Sequence, residues 1–472
     1  MVRWNKTKII ATIGPASSHK RELSSLAAEG VDIFRINGAH GTLKDHKKTI
    51  ARIREVSAGR RDPVAILIDL PGPKFRVGKL IREPINLKSG AIVVLECGKT
   101  TQTGSEIPVP YKALHKSLKA GSKIFINDGI VELKVLKIKG RVITCKVVSG
   151  GPVSTKKGIN LPLAKLNVPS LTSRDKEILN FAIREDVDYI ALSFVRSAKD
   201  IIALKRIIKR RAPHIGVIAK IEKPEALRDL DNIIAVSDAI MVARGDLGIE
   251  MPFDQIPLIQ KDILRRCLIA KKPSITATQM LESMVSSKKP TRAEATDVAG
   301  AVWDGSDAVM LSAETSVGAN PSVAVSAMRR IATEAETQMP RFASGIDECD
   351  KTGVQAKVIS CAAGFIAEHL NAKAIVTPTR SGRTPLFVSS DRPNVIVIAP
   401  TEDKRVARRM CLYWGVRPIA MPKFKTVDQL LNHAERLAKK SGFIKKGDKF
   451  VITSGAHGKK NDITRLVEVR SV

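Results

Sequence analysis

Two short stretches hold the residues best suited to chemistry. Gly216-Val-Ile-Ala-Lys-Ile-Glu222 and Ala239-Ile-Met-Val-Ala-Arg-Gly-Asp-Leu-Gly248 both begin as apolar runs and end in charged residues. In a β-strand residues i and i+2 share a face, so Lys220 and Glu222 project together while Ile221 points the other way. Glu222 and Asp246 could hold a hard divalent cation, with Lys220 beside the anion which that cation binds. A structural ion pair between neighbouring strands is the other use of a Lys-x-Glu ending, so the surrounding elements must decide.

Those elements alternate. Strand-like runs at Thr7–Ile13, Val31–Asn37, Pro63–Leu70, Tyr189–Val195, the two stretches above, Ser274–Thr278 and Ala308–Leu311 are each trailed by a helical pattern, except where the chain departs after the third. Ser17-Ser18 is placed to cap the first helix, which carries Leu23 and Leu26 and stops at Gly30; a basic helix runs from Leu43 to Ser57. Repeated β–α alternation predicts a parallel sheet, and eight units predict a closed (β/α)8 barrel. An open doubly wound sheet is the alternative, but no dinucleotide-type glycine fingerprint follows the first strand. Between Lys74 and Pro169 the texture changes to short strands punctuated by glycines, the pattern of a small all-β insert. After Pro340 helices and strands alternate again as a separate α/β unit. The expected organisation is a TIM barrel of residues 1–73 and 170–339, an inserted β-barrel lid of 74–169 and a C-terminal α/β regulatory domain of 340–472.

Composition narrows the setting. The 472 residues exceed one core, and aromatics at 4% imply an aliphatic interior of the parallel α/β kind. The six cysteines have no zinc or redox spacing and read as small buried residues in a reducing compartment. The charged N-terminus does not resemble a signal peptide and no apolar run reaches membrane-spanning length, so a cytoplasmic protein with no membrane partner is expected. The net charge of +32 suggests anionic partners. The basic residues are dispersed, however, without interleaved aromatics, and no specific nucleic-acid partner is expected.

If the barrel closes, its site lies at the C-terminal ends of the strands. Polar residues gather there: Arg35 and Asn37 on the second strand, Asp69 on the third, Ser193 on the fourth, Lys220 and Glu222 on the fifth, Arg244 and Asp246 on the sixth, Thr276 to Gln279 on the seventh, and Glu314 after the eighth. Carboxylates, a lysine, an arginine and a hydroxyl around one mouth suit magnesium-assisted work on a phosphorylated substrate. Thr7-Lys-Ile-Ile-Ala-Thr-Ile-Gly-Pro15, Arg35-Ile-Asn37, Lys220-Ile-Glu222, Ala243-Arg-Gly-Asp-Leu-Gly248, Ala277-Thr-Gln-Met-Leu-Glu-Ser-Met284 and Asp304-Gly-Ser-Asp-Ala-Val-Met-Leu-Ser-Ala-Glu-Thr315 together resemble the pyruvate kinase family over nearly the whole chain.

That resemblance implies phosphoryl transfer from phosphoenolpyruvate to ADP, giving ATP and an enolate that is protonated to pyruvate, the last step of glycolysis. It implies Mg2+ or Mn2+ on Glu222 and Asp246, and Lys220 and Arg35 on the phosphoryl group. Thr278 would lie near the carbon that takes the proton, and the Gly245 and Asp246 N–H groups at the substrate carboxylate. Arg76, Lys157, Asn37 and His40 would lie toward the nucleotide, and Asp128 would face the cleft. A homotetramer is implied too. A catalytically idle paralogue, or a polyanion- or nucleic-acid-binding protein on the same fold, is the alternative.

Two departures from the family pattern matter. Potassium-dependent members hold that ion with an Asn, a Ser, an Asp and a Thr backbone; here Asn37 and Asp69 persist but Ala39 and Leu70 replace the others. Lys74 stands where those members have glutamate. An ammonium at Lys74 supplies the missing positive charge, which resembles the potassium-independent branch and implies that K+ is not required. In the C-terminal region Thr377, Thr379, Ser381, Gly382, Arg383 and Thr384 resemble a phosphate loop for a phosphorylated effector, while the later loop Gly455-Ala-His-Gly-Lys-Lys-Asn-Asp462 lacks the family's usual ending.

Overall fold

The computed structural model describes residues 5–60, 62–162, 168–339, 355–423, 426–440, 442–455 and 464–472. Eight parallel strands close a barrel: β1 (Lys8–Ile13), β2 (Ile33–Asn37), β3 (Ala65–Leu70), β4 (Tyr189–Leu192), β5 (Gly216–Ile221), β6 (Ala239–Ala243), β7 (Ser274–Ala277) and β8 (Ala308–Leu311). Each pairs with its neighbours in sequence, and β1 closes the ring on β8. Alternation along the strands produces two cores. Outward residues such as Ile9, Phe34, Ile66, Ile190, Val217 and Ile240 pack under the helices, against Leu23, Leu26, Ile50, Ile178 and Ile201. Inward residues such as Ile10, Leu67, Ala191, Ile218, Met241 and Met310 fill the barrel. Toward the C-terminal ends the inward positions turn polar, with Thr12, Arg35, Asp69, Ser193 and Lys220 all buried. An apolar plug would be the more stable filling, so that layer is where stability has been exchanged for chemistry.

Local capping differs from expectation at the first helix. The helix Lys20–Ala28 starts after His19, which makes no side-chain cap, and Ser17 instead accepts the Gly14 N–H through its hydroxyl at 3.2 Å. Ser17 therefore closes the turn after β1 and does not reach the helix. The next helix, Leu43–Ala58, is held by a capping box between Thr42 and Asp45. The sixth strand also ends sooner than its apolar run suggests. The chain turns into the helix Arg244–Glu250 directly after Ala243, so Asp246 is helical.

The residues between β3 and β4 include a seven-stranded sheet and a two-stranded one around their own core, from Phe75 and Leu95 to Ile159 and Leu161. Five of these strands, Phe75–Arg76, Ile85–Leu87, Ile107–Val109, Gly151–Val153 and Gly158–Asn160, are too short to show a period in the sequence. Beyond the barrel, β9 (Ala374–Val376), β10 (Ile396–Thr401), β11 (Val416–Ala420), β12 (Lys449–Gly455) and β13 (Thr464–Ser471) form a sheet ordered β11-β10-β9-β12-β13, antiparallel only at its last pair. This unit packs on the N-terminal end of the barrel. The Tyr189 hydroxyl donates to the Arg409 carbonyl at 2.5 Å, Lys8 donates to the Val416 carbonyl at 2.8 Å, and Arg408 pairs with Asp188 at 2.6 Å. The opposite, C-terminal mouth is left to the insert. No helix among the described residues is long and apolar enough to cross a membrane.

Candidate active site

The mouth is built outward from β5, all of whose residues are buried. Lys220 points into the barrel, its ammonium 2.7 Å from Glu222 and 3.5 Å from Asp69, and it donates to the Ser193 hydroxyl at 2.9 Å. Asp69 is held again by Arg35, whose Nε and Nη2 donate to one carboxylate oxygen at 3.0 and 2.5 Å; Arg35 also donates to the Thr12 hydroxyl at 2.9 Å. The end of β5 and the residue just past it therefore supply a cation and an anion that meet, and the neighbouring strands supply the complementary partners. Burial works against the Lys220 ammonium, but the Glu222 and Asp69 carboxylates more than reverse this, so its pKa rises. Burial likewise opposes ionisation of Asp69, and Arg35 and Lys220 overcome it, leaving the carboxyl below its usual range. For Glu222 burial wins and its pKa rises, with repulsion from Asp246 adding to the shift despite Lys220.

Asp246 lies in the first turn of the helix after β6, its carboxylate 3.3 Å from the Lys74 ammonium. Just before it, Arg244 turns away from the mouth. Its guanidinium donates to the Thr278 carbonyl at 2.8 and 3.3 Å and to the Gln279 carbonyl at 3.2 Å, and it pairs with Asp297 at 2.6 Å. The Gly245 N–H donates to the Thr278 hydroxyl at 2.8 Å, and that hydroxyl donates to the Ala277 carbonyl at 2.5 Å. Thr278 and Gln279 have φ of 70° and 55°, left-handed backbone that a β-branched residue adopts only under constraint. Arg244 and Gly245 supply that constraint, so strain at the end of β7 is maintained by the end of β6.

The other expected residues separate into those at the mouth and those elsewhere. Lys74 reaches the mouth on Asp246, whereas Asp69 takes Arg35 and Lys220 as its cations. Asn37 turns its side-chain oxygen back onto the Ala39 N–H at 3.1 Å, and His40 is exposed. Strand pairing sets Arg76 opposite Gly158 beside Lys157, which is exposed, and Arg76 donates to the Lys156 carbonyl at 2.9 Å. Asp128 is an exposed turn residue with φ 53°. Glu314 is fully buried and accepts the Leu281 and Ser312 N–H groups, so it braces the loop after β7. In the C-terminal loop Thr377 and Thr384 are buried, Ser381 and Arg383 are exposed, and Gly382, at φ 82°, donates its N–H to the Thr379 hydroxyl at 2.9 Å. Residues 456–462 of the later loop lie outside the described residues.

Two partnerships had no signal in the sequence. One is the Arg244–Asp297 clasp. The other is an ion pair of 2.5 Å between Lys223 and Glu250. Either would have needed knowledge of which strand ends become neighbours.

No group of three His, Cys, Asp or Glu side chains suited to a metal ion occurs among the described residues. The Glu222–Asp246 pair fits a different kind of site. Mg2+ keeps several waters and is commonly held by one or two carboxylates plus substrate phosphate. The mutual repulsion of the two carboxylates is what a shared cation would relieve.

Family models described as "Pyruvate kinase, barrel domain" and "Pyruvate kinase, alpha/beta domain" match residues 4–325 and 357–469. A pyruvate kinase of Agrobacterium vitis is 42% identical, covering 96% of this chain and 96% of its own length. One of Geobacillus stearothermophilus is 40% identical over 99% of this chain and 80% of its own length. A crystal structure of a pyruvate kinase from Cryptosporidium parvum superposes with a TM-score of 0.92 at 36% identity, covering 100% of this chain and 97% of that one.

Proposed function

The chain belongs to the pyruvate kinase family, and we propose that its phosphoryl transfer takes place at the mouth formed by Arg35, Lys74, Lys220, Glu222, Asp246 and Thr278. The reaction moves the phosphoryl group of phosphoenolpyruvate to a terminal oxygen of ADP and returns a proton to the resulting enolate carbon. The observation that carries the assignment is the buried Lys220 ammonium, kept charged by two carboxylates in the polar layer that caps an apolar barrel interior.

The family uses a divalent metal, and Mg2+ or Mn2+ would be held here by Glu222 and Asp246, neutralising phosphate charge when bound. Lys220 donates to the phosphoryl oxygens, where charge stays spread while the group moves between two oxygens. Arg35, fixed by Asp69 and Thr12, orients the phosphate from the opposite side. Thr278 directs its hydroxyl toward the enolate face, and the substrate carboxylate takes the Gly245 and Asp246 N–H groups, displacing the contact that Gly245 now makes with Thr278. Arg76 and Lys157, side by side on the insert, take the nucleotide phosphates as that domain closes like a lid, with Asn37 and His40 at the rim. The same reading divides the chain at 1–73 with 170–339, 74–169, and 340–472. It makes the protein a cytoplasmic homotetramer whose loop from Thr377 to Thr384 binds a phosphorylated effector through Ser381 and Arg383.

Lys74 substitutes for a potassium ion, its ammonium already lying beside Asp246 at the mouth. Turnover of phosphoenolpyruvate and ADP in potassium-free tetramethylammonium buffer should match that in potassium buffer. An absolute potassium requirement would refute the substitution.

A further inference from the structure

The buried ion pair Lys223–Glu250 touches no substrate position named above, yet it joins the two segments that carry the metal carboxylates. Lys223 directly follows Glu222. Glu250 lies four residues after Asp246 on the helix Arg244–Glu250, one turn along the same face. The 2.5 Å contact therefore closes a ring through Glu222, Lys223, Glu250 and Asp246, and it spans the gap between the ends of β5 and β6. The Lys223 and Glu250 side chains are 10% and 1% exposed, and Lys223 also lies 5.8 Å from the centre of the Phe194 ring. Asn160 of the insert approaches the same Glu250 oxygen at 3.5 Å, which seals the pair from solvent, while the second Glu250 oxygen makes no hydrogen bond. Lys223 is the sole ion-pair partner of Glu250 among the described residues.

We propose that Lys223 and Glu250 are positioning residues for the divalent metal, holding Glu222 and Asp246 at the separation the ion needs although the two carboxylates repel. This rests on the assignment of the metal to those two carboxylates. Partners of metal ligands are commonly worth about 10- to 100-fold in metal affinity. Removing one member of a buried pair strands the other charge, whereas removing both with little change of shape is often tolerated.

The test is Mn2+ binding to the substrate-free protein, read from the electron paramagnetic resonance signal of free Mn2+, for Lys223→Met, Glu250→Gln, the double variant and Glu222→Gln. Metal-free thermal melting of each variant reports the fold. The expected result is Mn2+ affinity weakened about tenfold or more in both single variants, with the double variant folded and no weaker than the poorer single one. A folded double variant that binds Mn2+ within about twofold of the unsubstituted protein overturns the proposal. If Glu222→Gln also binds normally, the metal assignment itself fails; if only Glu222→Gln loses binding, the positioning role alone fails.

Discussion

Replacing Lys220 by methionine keeps the length and most of the volume of the side chain and removes its charge. Three partners lose a donor: Glu222 at 2.7 Å, Asp69 at 3.5 Å and the Ser193 hydroxyl at 2.9 Å. Both carboxylates are almost wholly buried, and stranding a buried charge by removing its partner costs about 3–5 kcal/mol. The lower end applies here, because Arg35 still holds Asp69 and the Phe194 N–H still donates to Glu222 at 2.7 Å. At low temperature circular dichroism should show the barrel intact, with a lower melting point. The rate should fall much further. A cation that meets the phosphoryl group in flight is worth about 10³-fold or more in phosphoryl transfer, or roughly 4 kcal/mol of barrier. The assay couples pyruvate formation from phosphoenolpyruvate and ADP to a dehydrogenase, with Lys220→Met and Ser193→Ala compared; the latter removes one contact of Lys220 and keeps the charge. A folded Lys220→Met enzyme with kcat within tenfold of the parent would refute the role of this lysine, and equal losses in both variants would reduce it to a matter of packing.

Arg244→Lys should lower kcat by about 10- to 100-fold with little change in KM, because an ammonium cannot hold the Thr278 and Gln279 carbonyls together and Thr278 would shift by a fraction of an ångström. Unchanged kcat would show that the left-handed Thr278 backbone needs no clasp. Burial raises the Cys145 thiol to about 12, so its thiolate fraction at pH 8 is about one in ten thousand and grows only as the pH climbs toward that value. Native Cys145 should thus resist iodoacetamide at pH 8 and react once guanidinium unfolds the insert, as read by mass spectrometry; prompt labelling of the native protein would contradict its burial.

What could be read from the sequence was whatever repeats with a short period. Lys220 and Glu222 sit two apart, and a strand's alternation carried one residue past the end of β5 turns both toward the mouth, where they meet, and Ile221 outward. The eight β–α units were visible for the same reason. Contacts that depend on which distant segments become neighbours were not. Lys223 and Glu250 are 27 residues apart and Lys74 and Asp246 are 172 apart; each pair meets only once the barrel has closed and the insert has folded over it. Arg244 shows the opposite failure. Its place at a strand end suggested a group facing substrate, but the Thr278 and Gln279 carbonyls after β7 and the Asp297 carboxylate lie within its reach from the other side. Glu314 failed likewise, since two backbone N–H groups lacking helical partners claim its carboxylate.

The charges at the mouth also bear on why Lys74 is where it is. Among the six ionised groups at its centre, Arg35, Lys74 and Lys220 oppose Asp69, Glu222 and Asp246, so the resting site is balanced. Without Lys74 it would carry a net negative charge before any phosphate arrived, and each incoming anion would meet repulsion in a poorly screened space. A site with a neutral or acidic side chain there restores the balance only by capturing a small cation, which then needs its own oxygen ligands. Lys74 brings the charge covalently, and it needs none. On the function proposed above, the hydroxyl replaced at Ala39 is a position released from a duty, and Lys74 and a potassium ion would be alternative solutions to one electrostatic requirement.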